Sequence, residues 1–185
     1  MRRRMTDDNF QSLIKGKYRV LITEEQIKEK VKELGKKISE DYRDKCPIFI
    51  GVLNGVFIFM ADLFREITID CEVDFVKISS YGNEKISSGK IRLLKDFDCH
   101  VDDRDVIVVE DIADSGRSIQ FLEKMFADSK PKSVKFVSLL LKEGGAIVDF
   151  KIDYVGFKIP SEFVVGYGLD YAQKLRNLSS IYVLE

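Results

Sequence analysis

The sequence of 185 residues is poor in histidine, cysteine, proline and tryptophan, with one His, three Cys, three Pro and no Trp. The single histidine, His100, excludes a metal site built on two histidines and leaves few ways to build a histidine-based catalytic triad. The cysteines lie far apart and form no Cys-x-x-Cys pair, which argues against a disulfide framework and a zinc knuckle. We interpret Cys46, Cys71 and Cys99 as reduced, mostly buried thiols of a cytoplasmic protein.

The chain also lacks a long apolar segment and an excess of charge of one sign. Its longest apolar run, at residues 46–64, is interrupted by proline, glycine, asparagine and aspartate, so it is unsuited to crossing a bilayer. Three N-terminal arginines are followed by polar residues rather than by the apolar segment of a secretory signal. The 30 Lys and Arg and the 31 Asp and Glu leave a net charge of -1. This balance argues against a polyanion-binding surface but not against a local anion site, so we expect no membrane and no nucleic-acid partner.

The hydrophobic pattern predicts an α/β fold with a mainly parallel central sheet flanked by helices. Short apolar runs at 48–53, 105–109 and 134–141 are typical of strands that are buried on both faces of a parallel sheet. Helical patterns follow at 56–64 and around 119–126, and further strands are expected at 72–79, 91–94, 154–159, 163–165 and 181–184. A capping box at Thr23 and Gln26 starts an amphipathic helix that ends near Tyr42.

The elements near the two ends of the chain do not fit a plain doubly wound sheet. We expect residues 1–185 to form one domain, in which the N-terminal helix and the late short strands make a small hood. The hood would cover the carboxyl edge of the sheet, where ligands of such folds bind. A polar loop with two glycines, at 81–90, follows one of these strands.

The segment from Val106 to Ser118 combines a buried strand, three carboxylates and a turn that opens a helix. Free amides and the helix dipole at such a turn favour a phosphate group, and the small and hydroxyl-bearing side chains would let it approach. The residues of this predicted phosphate site are Ser115, Gly116, Arg117 and Ser118.

The acidic residues Glu110, Asp111 and Asp114 need a different explanation, because carboxylates repel a phosphate. They could accept hydrogen bonds from ribose hydroxyls, or they could hold a hard cation shared with the phosphates. Both possibilities imply a phosphorylated sugar as ligand. The remaining alternative is a solvated acidic turn that only caps the helix.

This segment resembles the phosphoribosyl pyrophosphate signature of the type I phosphoribosyltransferases. Two further segments match that family in order: Ser79, Ser80, Tyr81 and Gly82, and then residues 154–157 running on to 163–171. Within the family the chain is similar to the hypoxanthine (hypoxanthine-guanine) phosphoribosyltransferases. The resemblance implies purine salvage by Mg²⁺-dependent transfer of the 5-phosphoribosyl group from phosphoribosyl pyrophosphate to N9 of hypoxanthine, with guanine as a second acceptor. The products would be IMP or GMP and pyrophosphate.

The resemblance also implies a role for each matching residue. Asp114 would be the general acid/base beside purine N7, and Glu110 and Asp111 would bind the ribose hydroxyls directly or through Mg²⁺. The purine would be bound by Lys142 at its 6-oxo group, by stacking on Phe163, and by the backbone of Val164. Asp170, beside the purine, would ligate the metal, and pyrophosphate would meet Asn54, Gly55 and Arg176. The loop that starts at Ser79 would close as a lid, and the family implies a homodimer or homotetramer.

One position departs from the family. Many relatives have lysine where this chain has Asn54, and the peptide bond before that residue can be cis in the family. Asn54 offers a neutral amide instead of a charge, so its contribution to pyrophosphate affinity is open.

Several purely structural interpretations of these residues, and several rival functions, also stay open. Lys142 could be a solvated strand end, Phe163 a core residue, and Arg176 the partner of Asp170 on a surface helix. The loop at 81–90 could be a hairpin tip rather than a lid. Rival functions are an RNA-binding regulator, a non-catalytic flavodoxin-like module and an adenine-specific transferase. A lysine is the wrong partner for the 6-amino donor of adenine, and the sequence does not rank hypoxanthine, guanine and xanthine.

Overall fold

The computed structural model describes residues 18–80, 91–144 and 147–184. Most of the chain's strands form a six-stranded sheet in the order β4-β3-β2-β5-β6-β7, and a second sheet has the order β1-β9-β8. The elements of the described residues are, in chain order, β1 (Tyr18–Ile22), α1 (Glu24–Asp41), β2 (Ile48–Leu53), α2 (Phe57–Glu66), β3 (Glu72–Ser80), β4 (Ile91–Lys95), β5 (Asp105–Ala113), α3 (Arg117–Asp128), β6 (Ser133–Lys142), β7 (Tyr154–Ile159), β8 (Val164–Val165) and β9 (Ile181–Leu184).

The central sheet is mainly parallel, which confirms the predicted fold class. Strand β2 pairs in parallel with β3 and β5, and β5, β6 and β7 continue in parallel, while β4 is antiparallel to β3. Successive side chains of a strand point to opposite faces, so the continuous apolar runs fill two cores at once. Ile48, Ile50, Val106 and Val108 pack on the side of α3, whereas Phe49, Ile107 and Val109 pack with α1 and α2.

The N-terminal helix is not part of the hood, contrary to our expectation. The stripe of Ile27, Val31, Leu34 and Ile38 is buried in the main core, and α1 packs against α2 and β7. The capping box of Thr23 and Gln26 is present as predicted. An amphipathic stripe of this length buries more apolar surface on a sheet face than it could in a small three-stranded sheet, which explains the placement.

The small second sheet joins strands from both ends of the chain. Strand β9 pairs antiparallel with β1 on one side and with β8 on the other. Of these strands, β8 contributes Val164 to the lining of the cleft described below.

Two strands run further than the apolar pattern indicated. The pairing of β5 with β6 continues through Glu110 opposite Ser138 to Ala113 opposite Leu141. The carboxylates of Glu110 and Asp111 therefore belong to the end of a strand and not to the turn that follows it. The parallel ladder satisfies the backbone there, so the acidic side chains do not end the strand.

The cysteines are less buried than we expected, and only the start of the predicted lid lies in the described residues. All three cysteines are free, but Cys46 is exposed and Cys71 and Cys99 are only partly buried, so the prediction of mostly buried thiols is wrong. Ser79 and Ser80 end β3, paired with β4, while Tyr81 and Gly82 lie outside the described residues. In the described part of the chain, no helix is both long and apolar enough to cross a membrane.

Candidate active site

The carboxyl ends of β2, β5 and β6 open into one cleft of about 360 Å³. Parallel strands present their carboxyl ends at the same edge of a sheet, so residues that are far apart in sequence meet there. The predicted site residues that line this cleft are Asn54, Gly55, Glu110, Asp111, Asp114, Ser118, Lys142, Phe163, Val164, Asp170 and Arg176.

Of the two acidic side chains at the end of β5, Glu110 is buried and Asp111 is partly buried. Glu110 is 5% exposed, and its Oε1 atom has no hydrogen-bond partner in the part of the chain that the structure describes. Burial, with a smaller contribution from the charge of Asp111, raises the pKa of Glu110 well above its ordinary value of 4.5. Burial also raises the pKa of Asp111 to about 6, although backbone amides and the Arg176 guanidinium oppose this shift. Buried acceptors of this kind are ready to take a hydroxyl donor or a cation.

Close backbone approaches fix Asp111 in place. A Cβ atom on Gly55 would overlap Asp111 Oδ2, and a Cβ atom on Gly168 would overlap the carbonyl oxygen of Gly55. The Leu53–Asn54 peptide bond is cis, as the family resemblance led us to expect. Only glycine at both positions lets the 54–56 loop, the end of β5 and the 166–169 turn meet so closely.

A lysine and an aspartate form an ion pair at the side of the cleft where β6 ends. Lys142 Nζ donates to Asp114 Oδ2 at 3.0 Å, and the lysine side chain is 14% exposed while that of Asp114 is 48% exposed. Lys142 is therefore not a solvated strand end. The pair presents one cationic donor and one carboxylate side by side.

The ring of Phe163 is exposed and does not belong to the core. It is 53% exposed, and its ring meets that of Tyr171 edge to face at a centroid distance of 6.1 Å. An exposed ring at the wall of a cleft is a surface on which a flat base can stack.

Asp170 and Arg176 pair with each other, and both also line the cleft. Arg176 Nη2 lies 2.7 Å from Asp170 Oδ1, and Arg176 Nη1 donates to the Gly168 carbonyl at 2.7 Å. The surface helix that we considered for this pair is absent from the described structure, in which the 166–174 segment forms turns closed by two isolated β-bridges. The arginine thus fixes the backbone turn as well as the carboxylate.

The predicted phosphate turn lies beside the cleft, at the start of α3. Ser118 lines the cleft from the first turn of α3, which begins at Arg117. Ser115 and Gly116 form the turn that leads into the helix. Gly116 has a left-handed backbone (φ 78°), and a Cβ atom there would overlap the ring of Phe150. No side chain caps the helix among the residues described. An uncapped helix N-terminus of this kind suits an anion.

The oxygen-only donor set at the end of β5 fits a hard divalent cation such as Mg²⁺. No three acidic, histidine or cysteine side chains of the described segments lie close enough together to hold a metal ion by themselves. Mg²⁺ usually keeps several waters and takes one or two carboxylates plus substrate phosphates, so the residues present fit the ion only together with a phosphorylated ligand. The orphaned Oε1 of buried Glu110 is the observation that supports this fit.

Sequence reasoning missed the apolar part of the cleft. Leu53, Ile78, Ile112 and Leu169 also line it. For Ile112 a signal existed: in a strand, it points to the same face as Glu110, two residues before it. That signal was hidden because the apolar pattern ended the strand at Val109.

Comparison with known proteins decides the family. Residues 21–172 match the model of the phosphoribosyl transferase domain. The chain is 50% identical to the hypoxanthine-guanine phosphoribosyltransferase of Bacillus subtilis (strain 168) over 167 residues, which cover 90% of this chain and 93% of that protein. The chain belongs to the phosphoribosyltransferase family. It is a transferase, and its relatives within the family are the hypoxanthine-guanine phosphoribosyltransferases.

Solved structures of phosphoribosyltransferases show the same architecture. A hypoxanthine-guanine phosphoribosyltransferase (hpt-2) from Bacillus anthracis superposes with a TM-score of 0.86 at 48% identity, over 90% of this chain and 98% of that one. A mutant hypoxanthine phosphoribosyltransferase from Trypanosoma cruzi, solved as a ternary substrates complex, gives a TM-score of 0.83 at 39% identity, over 90% and 94% of the two chains.

The contact of Gly55 with Asp111 generates a prediction about stability. Gly55→Ala is expected to lower the free energy of unfolding by about 1–3 kcal/mol, because the new methyl group displaces the Asp111 carboxylate. In an Asp111→Ala background the same change should cost much less, since the overlapping oxygens are gone. Urea unfolding of the four proteins measures both costs. An equal cost in both backgrounds would contradict the contact.

Proposed function

We propose that the chain catalyses Mg²⁺-dependent transfer of the 5-phosphoribosyl group from phosphoribosyl pyrophosphate to N9 of hypoxanthine and of guanine, giving IMP or GMP and pyrophosphate. The observation that carries this proposal is the Lys142–Asp114 pair beside an exposed aromatic ring, in the same cleft as the buried carboxylates of β5. The names of the relatives support the choice of base. We further propose a cytoplasmic homodimer or homotetramer, as the family resemblance implies.

The donor substrate would be bound along the carboxyl ends of β2 and β5. The uncapped start of α3, with Ser118, would bind the 5′-phosphate, and Glu110 and Asp111 would accept hydrogen bonds from the ribose hydroxyls. The amide of Asn54 and the guanidinium of Arg176 would face pyrophosphate. When bound through Glu110, Asp111 or Asp170, Mg²⁺ would neutralise charge on the pyrophosphate leaving group.

The purine would occupy the side of the cleft at the end of β6. Phe163 would stack on the base, and the backbone of Val164 would bind its edge. Lys142 donates only, so it suits the 6-oxo acceptor of hypoxanthine and guanine and not the 6-amino group of adenine. Asp114 would hold the proton at N7.

In the transfer step, purine N9 bonds to C1 of the ribose while the bond from C1 to the pyrophosphate oxygen breaks. Breaking that bond makes C1 resemble an oxocarbenium ion, as in glycoside cleavage. The purine proton passes to the Asp114 carboxylate, and the electron pair of the broken bond leaves with pyrophosphate. Proton transfer of this kind contributes about 10²–10⁴-fold to the rate.

The direct test is base-dependent release of pyrophosphate. We expect release with hypoxanthine and with guanine, little with adenine, and none with either base when a chelator removes Mg²⁺. Xanthine is tested as the fourth base, and its rate of pyrophosphate release ranks it against the other three. Turnover with adenine alone would replace the proposal with the rival transferase, and full turnover in excess chelator would remove the metal from it.

The role of Asp114 can be separated from binding. Asp114→Asn keeps an oxygen that accepts from Lys142 but cannot take a proton, so kcat is expected to fall by about 10²–10⁴-fold. Equilibrium binding of phosphoribosyl pyrophosphate should be retained. A kcat within about threefold of the wild type would remove the acid/base role.

Lys142 generates the complementary expectation. Lys142→Met keeps the length of the side chain and removes the charged donor, a loss of roughly 1.5–3 kcal/mol for 6-oxo purines. The KM of the purine should rise while the affinity for phosphoribosyl pyrophosphate barely changes. Equal losses for the two substrates, measured by steady-state kinetics and direct binding, would make the lysine a structural residue.

A further inference from the structure

A buried tyrosine joins the turn that carries the Asp170–Arg176 pair to helix α2. Tyr167 is 6% exposed, and its hydroxyl donates to Asp62 Oδ2 at 2.7 Å. Asp62 lies in the middle of α2, and its other carboxylate oxygen binds Arg65 at 2.8 Å. Burial and the hydrogen bond to Asp62 raise the pKa of Tyr167 far above its ordinary value of 10.0, so the hydroxyl stays a donor.

The turn that Tyr167 anchors has a demanding backbone. Gly166, Tyr167 and Gly168 have consecutive positive φ angles of 99°, 49° and 99°. A tyrosine in the left-handed region is uncommon and unfavourable by itself, so contacts elsewhere must compensate. The backbone amide of Tyr167 donates to the Leu178 carbonyl at 2.8 Å, and its ring joins the core cluster that includes Val31 and Val56.

The same turn touches the active cleft through Gly168. Its Cα packs on the Gly55 carbonyl so closely that no side chain fits between them. Its own carbonyl accepts from Arg176, which pairs with Asp170. Because α2 starts directly after the 54–56 loop, the Tyr167–Asp62 bond and the Gly168–Gly55 contact join the same two segments at two points.

We propose that Tyr167 is a positioning residue for the pyrophosphate side of the cleft, acting through its hydrogen bond to Asp62. The bond holds the 166–169 turn against α2 and thereby sets the distance of Arg176 from the Asn54–Gly55 loop. The inference rests on the proposed function, because that function assigns Asn54 and Arg176 to pyrophosphate. The purine side of the cleft, at the end of β6, does not belong to the segments that this bond joins.

A matched tyrosine distinguishes positioning from simple stabilisation. Tyr154 is 3% exposed, and its hydroxyl donates to Asp41 Oδ2 at 2.8 Å. It begins β7 and therefore lies at the amino edge of the sheet, opposite the cleft. Tyr154→Phe removes the same kind of buried bond to a carboxylate as Tyr167→Phe does, and both keep the ring. The two changes should cost similar free energy of unfolding.

The experiment compares substrate affinity and local backbone opening in these two variants. Tyr167→Phe is expected to raise the KM and the Kd of phosphoribosyl pyrophosphate about tenfold, with the purine KM within about twofold of the wild type. Hydrogen exchange of the 166–176 segment should accelerate, because the turn loses its tie to α2. Tyr154→Phe should change neither the affinity nor the exchange of that segment.

Variants of the acceptor complete the test. Asp62→Asn keeps an oxygen that can accept from Tyr167 and should stay close to the wild type, whereas Asp62→Ala should reproduce Tyr167→Phe. The double variant Tyr167→Phe with Asp62→Ala should be no worse than either single variant, because both remove one bond. Additive effects in the double variant would overturn the proposal.

The outcome for Tyr167→Phe also separates the inference from the proposed function. Wild-type affinity together with wild-type exchange, or an equal loss for both substrates, would overturn the positioning role while the transferase stands. If the wild-type protein released no pyrophosphate with any base, the proposed function would fail. The exchange of the 166–176 segment would then still decide whether the bond holds the turn.

Discussion

The site depends on two neighbouring carboxylates at the end of β5, one buried and one partly buried. Folding removes Glu110 from water, and Asp111 in part, without giving the Glu110 Oε1 atom a hydrogen-bond partner among the described residues, and this costs free energy. The fold tolerates this cost because Val106–Val109 of β5 are fully buried and apolar, and the ladder to β6 continues past the two acidic residues. A ligand that brings hydroxyl donors or a divalent cation removes this cost on binding, so the free energy lost in the free protein adds to the affinity for that ligand.

Glycine makes this arrangement compact. The 54–56 loop contacts Asp111 on one side and the 166–169 turn on the other. In each contact the backbone of a glycine packs against an oxygen atom, which leaves no room for a methyl group. The 54–56 loop, the end of β5 and the 166–169 turn, which are far apart in sequence, are therefore in direct contact at this point. The Tyr167–Asp62 bond lies one helix turn or more behind these contacts and keeps the segments from separating. Precise spacing matters here, because small displacements of positioned groups lower rates by large factors.

Local pattern predicted the strands and the helices and indicated the acidic strand end and turn at 110–118, whereas the family resemblance supplied the other predicted site residues. Continuous apolar runs show which strands are buried on both faces, and the Ser115–Ser118 turn after an acidic strand end shows where a phosphate could bind. What local pattern could not show depends on contacts between distant segments. The placement of α1 on the sheet face was decided by the core that it meets, and the full length of β5 by its pairing with β6. The pairing of Tyr167 with Asp62 joins residues 105 positions apart, and neither residue type at its position signals the other.

The Lys142–Asp114 pair explains how one cleft can favour a class of base. Each member satisfies the other while no base is bound, so neither a lone cation nor a lone anion is held near the wall of the cleft. In the proposed function a 6-oxo purine presents an acceptor to the lysine and a proton at N7 to the aspartate, and so replaces the ion pair with two matched hydrogen bonds. Adenine presents a donor to the ammonium group, which leaves a charged donor unpaired against the 6-amino group. Sites that bind a polar group through a partly buried charge reject the mismatched analogue more strongly than apolar pockets reject a change of size. In the proposed function, discrimination between oxo and amino purines would therefore follow from the chemistry of one lysine, whereas the choice among 6-oxo purines would come from contacts at the purine 2-position, away from this pair.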